Sequence, residues 1–510
     1  MVRRPDLRSL FAVLAIFISI FSGCYSGTDG GGKLSGSFKI SFAPGTKTGT
    51  PDRPLKVSRN FIKYTLNIEP LDPTGKLESN YRGKVCVYTN RGILKASLFP
   101  IELRGKSQID VQLKLGFGRT VIWVGEIKKG ERCPNSLDPN DEILPGVGRV
   151  GAAPPLYFEL LSIRDVQFAQ LKPYDSPLYK KYSIIGRGKM VVTAVTSNGF
   201  YITDLDSARD KKGYDSIFIF TFSAPTLIFG EGATQKLLSP GDIILRVEGG
   251  VDEFSGHTQL TFPTFIPKWK DKAAGRTEKL PLSQLPSPRK IEPELFWSRR
   301  DMEPYESSLI EINNAIAIPV VREQEGWREF RQWPVLLVYS DTNADRTKCE
   351  KLIFRELGIP LNGKSLGKSD YRSCLSKCRS ARLKIENRCS YSNQKCRSQA
   401  RDSWFRCFFD CRCSSGHPAC SKKGLFPRLK AQGCGYSVVL IITNDTMPLF
   451  DPLAPEHPSR RFDYIRGILK QVRASSFYKL TSEQYPDEMS NAGFVLWVRG
   501  KDDLKFSKIR

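Results

Sequence analysis

Histidine is scarce in this chain: three in 510 residues, at positions 257, 417 and 457. No Ser-Asp-His or Gly-Asp-x-Asn motif accompanies them. Two-metal phosphodiester cleavage needs clustered carboxylates and usually a histidine beside the scissile bond, so the sequence offers no reaction centre of that kind. Long apolar runs are scarce too. The main one, Leu10 to Ile18 extended through Ile20 and Phe21, is roughly a dozen residues, short of the ~20 that span a bilayer. Acidic residues are in deficit, 53 Asp and Glu against 78 Lys and Arg, for a net charge of +25. Such a chain is drawn to nucleic acid, phospholipid headgroups, lipopolysaccharide or acidic polysaccharide; the plain alternative is a solvated basic surface without a specific partner.

What is present begins with residues 1–23. Arg3, Arg4 and Arg8 precede the short apolar run, and the small residues Ser22 and Gly23 stand before Cys24, the layout of a secretory signal. Phe21-Ser22-Gly23-Cys24 resembles the lipobox of bacterial lipoproteins, with Phe21 where Leu is usual. The resemblance implies that Cys24 becomes the lipid-bearing N-terminus; an ordinary cleaved signal that leaves a free thiol is the competing expectation. Residues 24–36, rich in glycine and serine, then serve as a flexible tether. Tyr25 in place of Asp resembles an outer-membrane address. The expected location is the bacterial cell envelope, with the membrane as partner through the lipid on Cys24.

Cys24 aside, twelve cysteines remain, an even number that fits disulfides in an exported chain. Cys86 and Cys133 lie alone in the first region and are candidates to pair. Ten others, Cys349, Cys374, Cys378, Cys389, Cys396, Cys407, Cys411, Cys413, Cys420 and Cys434, crowd one segment. Cys374/Cys378 and Cys407/Cys411 each place two sulfurs on one helix face. Two antiparallel helices stapled by Cys374 to Cys411 and Cys378 to Cys407 would follow. A zinc site using Cys411, Cys413, His417 and Cys420 is the competing chemistry.

Short β-like runs with period-two alternation, such as residues 38–42, 85–88, 109–113 and 120–124, predict an antiparallel β-sandwich over 37–150; Leu71-Asp72-Pro73-Thr74-Gly75 followed by the Val85 strand resembles a bacterial immunoglobulin-like repeat, which implies an immunoglobulin-like sandwich. The Pro/Gly-rich stretch 144–155 reads as the linker that closes it. Over 156–300, Gly188–Val195, an Asn198-Gly199 hairpin turn, Ser197–Asp204, Asp215–Thr221, Ile243–Val247 and Gly250–Leu260 fit a five-stranded barrel. The order V-T-A-V, N-G-F-Y-I-x-D, D-S-I-F-I-F, P-G-D and V-x-E-F-x-G-x-T-Q-L in this region is similar to the OB-fold module appended to secreted bacterial nucleases of the endonuclease/exonuclease/phosphatase type. Met302–Ile312 resembles the E-P-Y-E-G-M-L-V stretch that opens a second barrel in those proteins, with Ser307 and Ser308 where Gly-Met is usual. Arg461–Leu469 resembles the closing strand of that unit. The resemblance implies a second OB-like domain over 301–510, interrupted by the cysteine-rich insertion 346–434, and a binding part without the nuclease domain.

The insertion holds 21 Lys and Arg against six Asp and Glu. Arg379, Arg382, Lys384, Arg397, Arg401 and Arg406, interleaved with aromatics at 404, 405, 408 and 409, suit backbone-phosphate contact with base or lipid stacking. The opposing expectation is a hairpin whose aromatics form its core and whose charges face water. Asp341, Asn343 and Asp345 have calcium-loop spacing, yet Arg346 and Leu352 stand where Gly and Glu are required; no other cofactor is implied. Asp204, Asp206 and Asp210 form a second acidic loop. The fold expected is therefore mainly β and multi-domain: a sandwich, then two OB-like barrels, the second carrying a disulfide-rich helical hairpin. The function expected is non-catalytic binding of a polyanion such as extracellular nucleic acid at the envelope. A structural or adhesive component that binds envelope proteins or lipopolysaccharide, and a metal-dependent nuclease using Asp204, Asp206 or Asp341, are the alternatives.

Overall fold

In the computed structural model the described residues are 36–95, 100–127, 133, 148–169, 174–210, 212–230, 234–297, 299–317, 331–340, 345–356, 432–443, 446–447, 449–452, 460–473 and 492–507. Among them the chain is mainly β, a sandwich followed by two closed five-stranded barrels.

The sandwich comprises β1 (Ser37–Phe42), β2 (Ile62–Leu71), β3 (Arg82–Thr89), β4 (Ile93–Leu94), β5 (Ile101–Arg104), β6 (Ser107–Lys114), β7 (Arg119–Thr120), β8 (Ile122–Ile127) and β9 (Val150–Ala152). Two antiparallel sheets, ordered β1-β2-β6-β4 and β5-β3-β8-β9, face one another. Alternation does the work: Tyr64, Leu66 and Ile68 of β2 and Ile109, Val111 and Leu113 of β6 point inward against Val85, Val87, Ile122 and Val124, while the residues between them meet water. Cys86 and Cys133 are bonded as expected, closing a loop beneath Tyr88 and Ile127. One expectation fails here. Within the stretch read as a linker, Val150–Ala152 pairs with β8, because its alternating side chains complete the sheet edge.

Strand β10 (Leu156–Tyr157) pairs with β7, and helix α1 (Ile163–Gln167) follows, begun by a capping box between Ser162 and Asp165. Buried Asp165 also accepts from Arg59 of the sandwich at 3.0 Å and from Arg187 ahead of the first barrel. Leu115 and Phe117 of the sandwich enter the barrel core, so the two units share apolar packing.

The first barrel uses β12 (Met190–Thr196), β13 (Gly199–Asp204), β14 (Ser216–Phe220), β17 (Ile243–Phe254) and β18 (His257–Pro267), with β11 (Tyr182–Ile185) on the outside of β17 and a hairpin, β15 (Thr226–Phe229) and β16 (Thr234–Leu237), inserted after β14. The ring runs β12-β13-β14-β18-β17 and back to β12; the β14–β18 pair alone is parallel. Two turns differ from the sequence reading. The β12–β13 loop is Ser197-Asn198, with Thr196 paired to Gly199, and a Cβ at Gly199 would lie 2.6 Å from the Phe218 ring. Residues 243–254 form one long strand that ends in a Ser255-Gly256 turn, both residues left-handed at φ 59° and 83°, as a two-residue type I′ hairpin requires.

The second barrel repeats the ring. After β19 (Trp269–Asp271), β20 (Arg276–Thr277) and β21 (Arg289–Lys290), strands β22 (Leu309–Ala317), β23 (Gln332–Ser340), β24 (Cys434–Ile442), β25 (Arg461–Arg473) and β26 (Ala492–Trp497) close in the order β22-β23-β24-β26-β25, again with one parallel pair, β24–β26. The stretch from Arg461, read as a closing strand, is the fourth strand; β26 closes the ring, and β27 (Leu504–Phe506) lies outside β25.

The cysteine-rich insertion leaves and re-enters at one hairpin mouth, where Ser340 pairs with Cys434. Its described helix, α3 (Arg346–Glu356), is bonded there through Cys349–Cys434. Leu352 and Ile353 of α3 lie over Ile316, Leu336 and Val338 on the outside of the barrel. The expected hairpin of Cys374, Cys378, Cys407 and Cys411, the cysteines Cys389, Cys396, Cys413 and Cys420, and His417 lie outside the described residues. So do Cys24, the signal segment and residues 24–35 of the tether. Among the described residues no helix is long and apolar enough to cross a membrane.

Candidate functional site: the joint between the barrels and its exposed aromatic edge

The sequence motifs that define the two barrels converge on the joint between them. Its apolar half is a sheet-to-sheet contact: Ala194, Tyr201 and Phe218 on the outside of the first barrel meet Leu309, Leu440, Ile442, Ile468, Val495 and Trp497 of the second. Tyr201 stacks on Trp497 with centroids 6.1 Å apart and on Phe218 at 4.6 Å, the offset geometry that aromatic quadrupoles favour. The strand-two and strand-three face is the surface that OB barrels offer to ligands. In the first barrel the other barrel occupies that part of it.

The polar half is built by residues 303–308. Their first three form a single 3₁₀ turn, Glu303–Tyr305, and the next three dock against the β17–β18 hairpin. The Glu306 carboxylate accepts from the Thr258 backbone N–H at 3.0 Å, while the Thr258 hydroxyl donates to Glu253 at 2.8 Å and the Ser176 N–H donates to the same Glu253 oxygen at 2.7 Å. Gln471 of β25 donates to Glu303 at 2.7 Å. Three carboxyls are thus gathered in a space with little water. Burial pushes Glu253 up to about 8, with the charges of Asp175 and Glu303 adding to the effect, and holds Glu306 well above the usual carboxylate range, with the charges of Glu303 and Glu253 adding there.

Ser307 occupies a left-handed backbone position, φ 62°, a conformation that glycine adopts without strain. Here the hydroxyl offsets the strain by sitting 2.9 Å from His257 Nε2. His257 is buried, stacked on Phe218 at 5.6 Å, and burial followed by the nearby Lys470 charge lowers it to about 3. It is a neutral packing residue. Ser308 reaches Asp215 and Ser216, each at 3.2 Å, and buried Asp215 is ion-paired with Arg289.

The two acidic loops singled out by the sequence have other work. Asp204 caps the short helix α2 (Leu205–Ala208), accepting from the Asp206 N–H at 3.1 Å and the Ser207 hydroxyl at 2.6 Å. Asp210 is held by both terminal nitrogens of Arg164 at 2.6 Å, which keeps its carboxyl well below the usual range. Asp345 caps α3 through the Thr347 N–H at 2.8 Å; Asp341 and Asn343 lie outside the described residues. Asp and Asn recur in caps and in calcium loops for the same reason, a short side chain that accepts from nearby groups. Among the described residues no group of three or more His, Cys, Asp or Glu is placed to hold a metal ion. The basic residues Arg379, Arg382, Lys384, Arg397, Arg401 and Arg406 lie outside them.

Sequence reasoning missed the rest of the aromatic row. From Phe218 it continues through Phe220 at 6.3 Å and Phe222 at 4.4 Å to Phe262 of β18 at 5.0 Å. The first rings are covered by the second barrel; the last two stand in solvent, Phe222 57% and Phe262 80% exposed. Both also have left-handed backbones, φ 62° and 50°, a conformation that costs a bulky residue roughly 1–2 kcal/mol. At the covered end the Lys470 ammonium lies 5.7 to 5.9 Å from the rings of Trp497, Phe218 and Tyr201, within cation–π range. The Phe218-Ile219-Phe220-Thr221-Phe222 spacing was the available signal, since alternate residues of a strand share a face.

In comparison with known proteins, no family model matches this chain and no curated protein is found to be similar to it.

Proposed function

We propose that this chain is a non-catalytic binding lipoprotein of the bacterial cell envelope, anchored in the outer membrane through a lipid on Cys24, and that it engages a polyanion such as extracellular nucleic acid. The observation that carries the reading is the concentration of positive charge: of a net +25, the insertion 346–434 supplies 21 basic residues against six acidic ones. That segment leaves and re-enters the barrel at a hairpin mouth tied by the Cys349–Cys434 disulfide. Neutralising phosphates releases counterions, and affinity then falls steeply with salt.

Anisotropy of a labelled oligonucleotide titrated with the purified protein at increasing salt tests the binding: a linear fall of log affinity with log salt is expected, and salt-independent or absent binding contradicts it. Metabolic labelling with a palmitate analogue tests the anchor. Wild type should be labelled and Cys24→Ala should not.

A further inference from the structure

We propose that Phe220, Phe222 and Phe262 form a stacking surface for the bases of single-stranded nucleic acid, beside the joint and on the side of the first barrel that the second leaves open. This rests on the polyanion reading and goes further, because it names a site outside the basic insertion and the form of nucleic acid that fits it. The row is continuous with an established contact: Tyr201 and Phe218 are covered by Trp497, and the same series of rings runs on uncovered. Two of the uncovered rings are held outward by left-handed backbones that glycine would adopt without strain. Strain of that kind persists where the surrounding structure fixes it, and it concentrates at ligand sites.

The occupant follows from charge and shape. A strand that threads past this edge brings flat faces to the rings and phosphates to a chain of net charge +25, with Lys470 at the covered end of the row. Duplex bases are stacked on each other and have no free face to offer. A neutral oligosaccharide gains nothing from the charge. A bilayer favours side chains splayed from a loop tip, whereas Phe220 and Phe262 lie on neighbouring strands of the barrel wall, Phe220 of β14 paired to Thr261 beside Phe262, with Phe222 in the bend two residues past the end of β14.

The test uses the full chain, wild type and the double variants Phe222→Ala/Phe262→Ala and Phe222→Gly/Phe262→Gly. Three probes are compared: a labelled oligothymidylate, inorganic polyphosphate, and a neutral chitin oligosaccharide. Base stacking on aromatics predicts oligothymidylate affinity about tenfold or more weaker per ring removed, polyphosphate affinity unchanged, and thermal stability unchanged or raised, most in the glycine pair. Wild-type binding of oligothymidylate that the double variants leave intact would overturn the stacking site and spare the polyanion reading. Equal losses for polyphosphate, or a selective loss for the chitin oligosaccharide, would overturn it as well. Binding of neither anion by wild type would overturn both.

Discussion

The two barrels share a ring order and a single parallel strand pair, but they cover their outer faces differently. The first buries Tyr201 and Phe218 against the second barrel; the second buries Leu336 and Val338 under its own helix α3. One face is closed by a neighbouring domain and the other by an insertion stapled to the barrel it covers. The difference shows why the insertion needs a disulfide and the joint does not: α3 offers few apolar side chains, whereas the joint has a stacked aromatic row together with buried polar groups from residues 303–308.

The comparison breaks most readily at Trp497. Trp497→Ala removes the side chain that Tyr201 stacks on, and a buried aromatic truncated to alanine costs about 3–5 kcal/mol; denaturant unfolding should show the first barrel losing its shared transition with the second. Next in size is the staple. Replacing Cys349 and Cys434 with serine opens a loop closed across 85 residues and should cost about 2–5 kcal/mol, confined to the second barrel and visible as faster hydrogen exchange in α3 and β23.

The polar half of the joint gives a pH signature. Glu253 and Glu306 hold their protons more tightly folded than unfolded, so the stability they contribute is full below about 4.5 and is lost as pH rises, Glu253's as pH passes through about 8. His257 acts in the opposite sense. Its folded value is lowered to about 3, so its contribution is full above about 6.5 and is lost as pH falls below that. The optimum should therefore lie on the acid side of neutrality. Glu306→Gln should flatten the alkaline decline, as read by thermal melts across pH. The smallest effect is expected at Ser307, where glycine relieves the left-handed strain but removes the hydroxyl beside His257; a net change within about 1 kcal/mol is expected in the same melts.

Much of the fold was legible because strands announce themselves locally. Alternation located β1, β3, β6 and β8 and the first barrel's first strand, and a pair of cysteines with no rivals nearby was read correctly as Cys86–Cys133. What escaped was long-range. Whether Gly249 and Gly250 break a strand or lie within one depends on the partner strand, and here they sit inside β17 opposite β18. Cys349 and Cys434 join because a hairpin mouth brings them together across the whole insertion, which spacing on a helix cannot reveal. The exposed aromatic row escaped for a related reason. Asp204, Asp210 and Asp345 carry ligand chemistry, yet local caps and an arginine from another element claim them, while Phe222 and Phe262, which carry none by type, are set apart by backbone angle and exposure.

That one aromatic row both joins the barrels and reaches solvent is the central claim, and a double-mutant cycle between Tyr201→Leu and Trp497→Leu tests it most directly. The structure predicts a coupling of about 0.5–3 kcal/mol between the two positions in unfolding free energy, as for residues in contact. Strictly additive effects, with no coupling beyond error, would mean that the rings do not meet across the joint and would contradict the account.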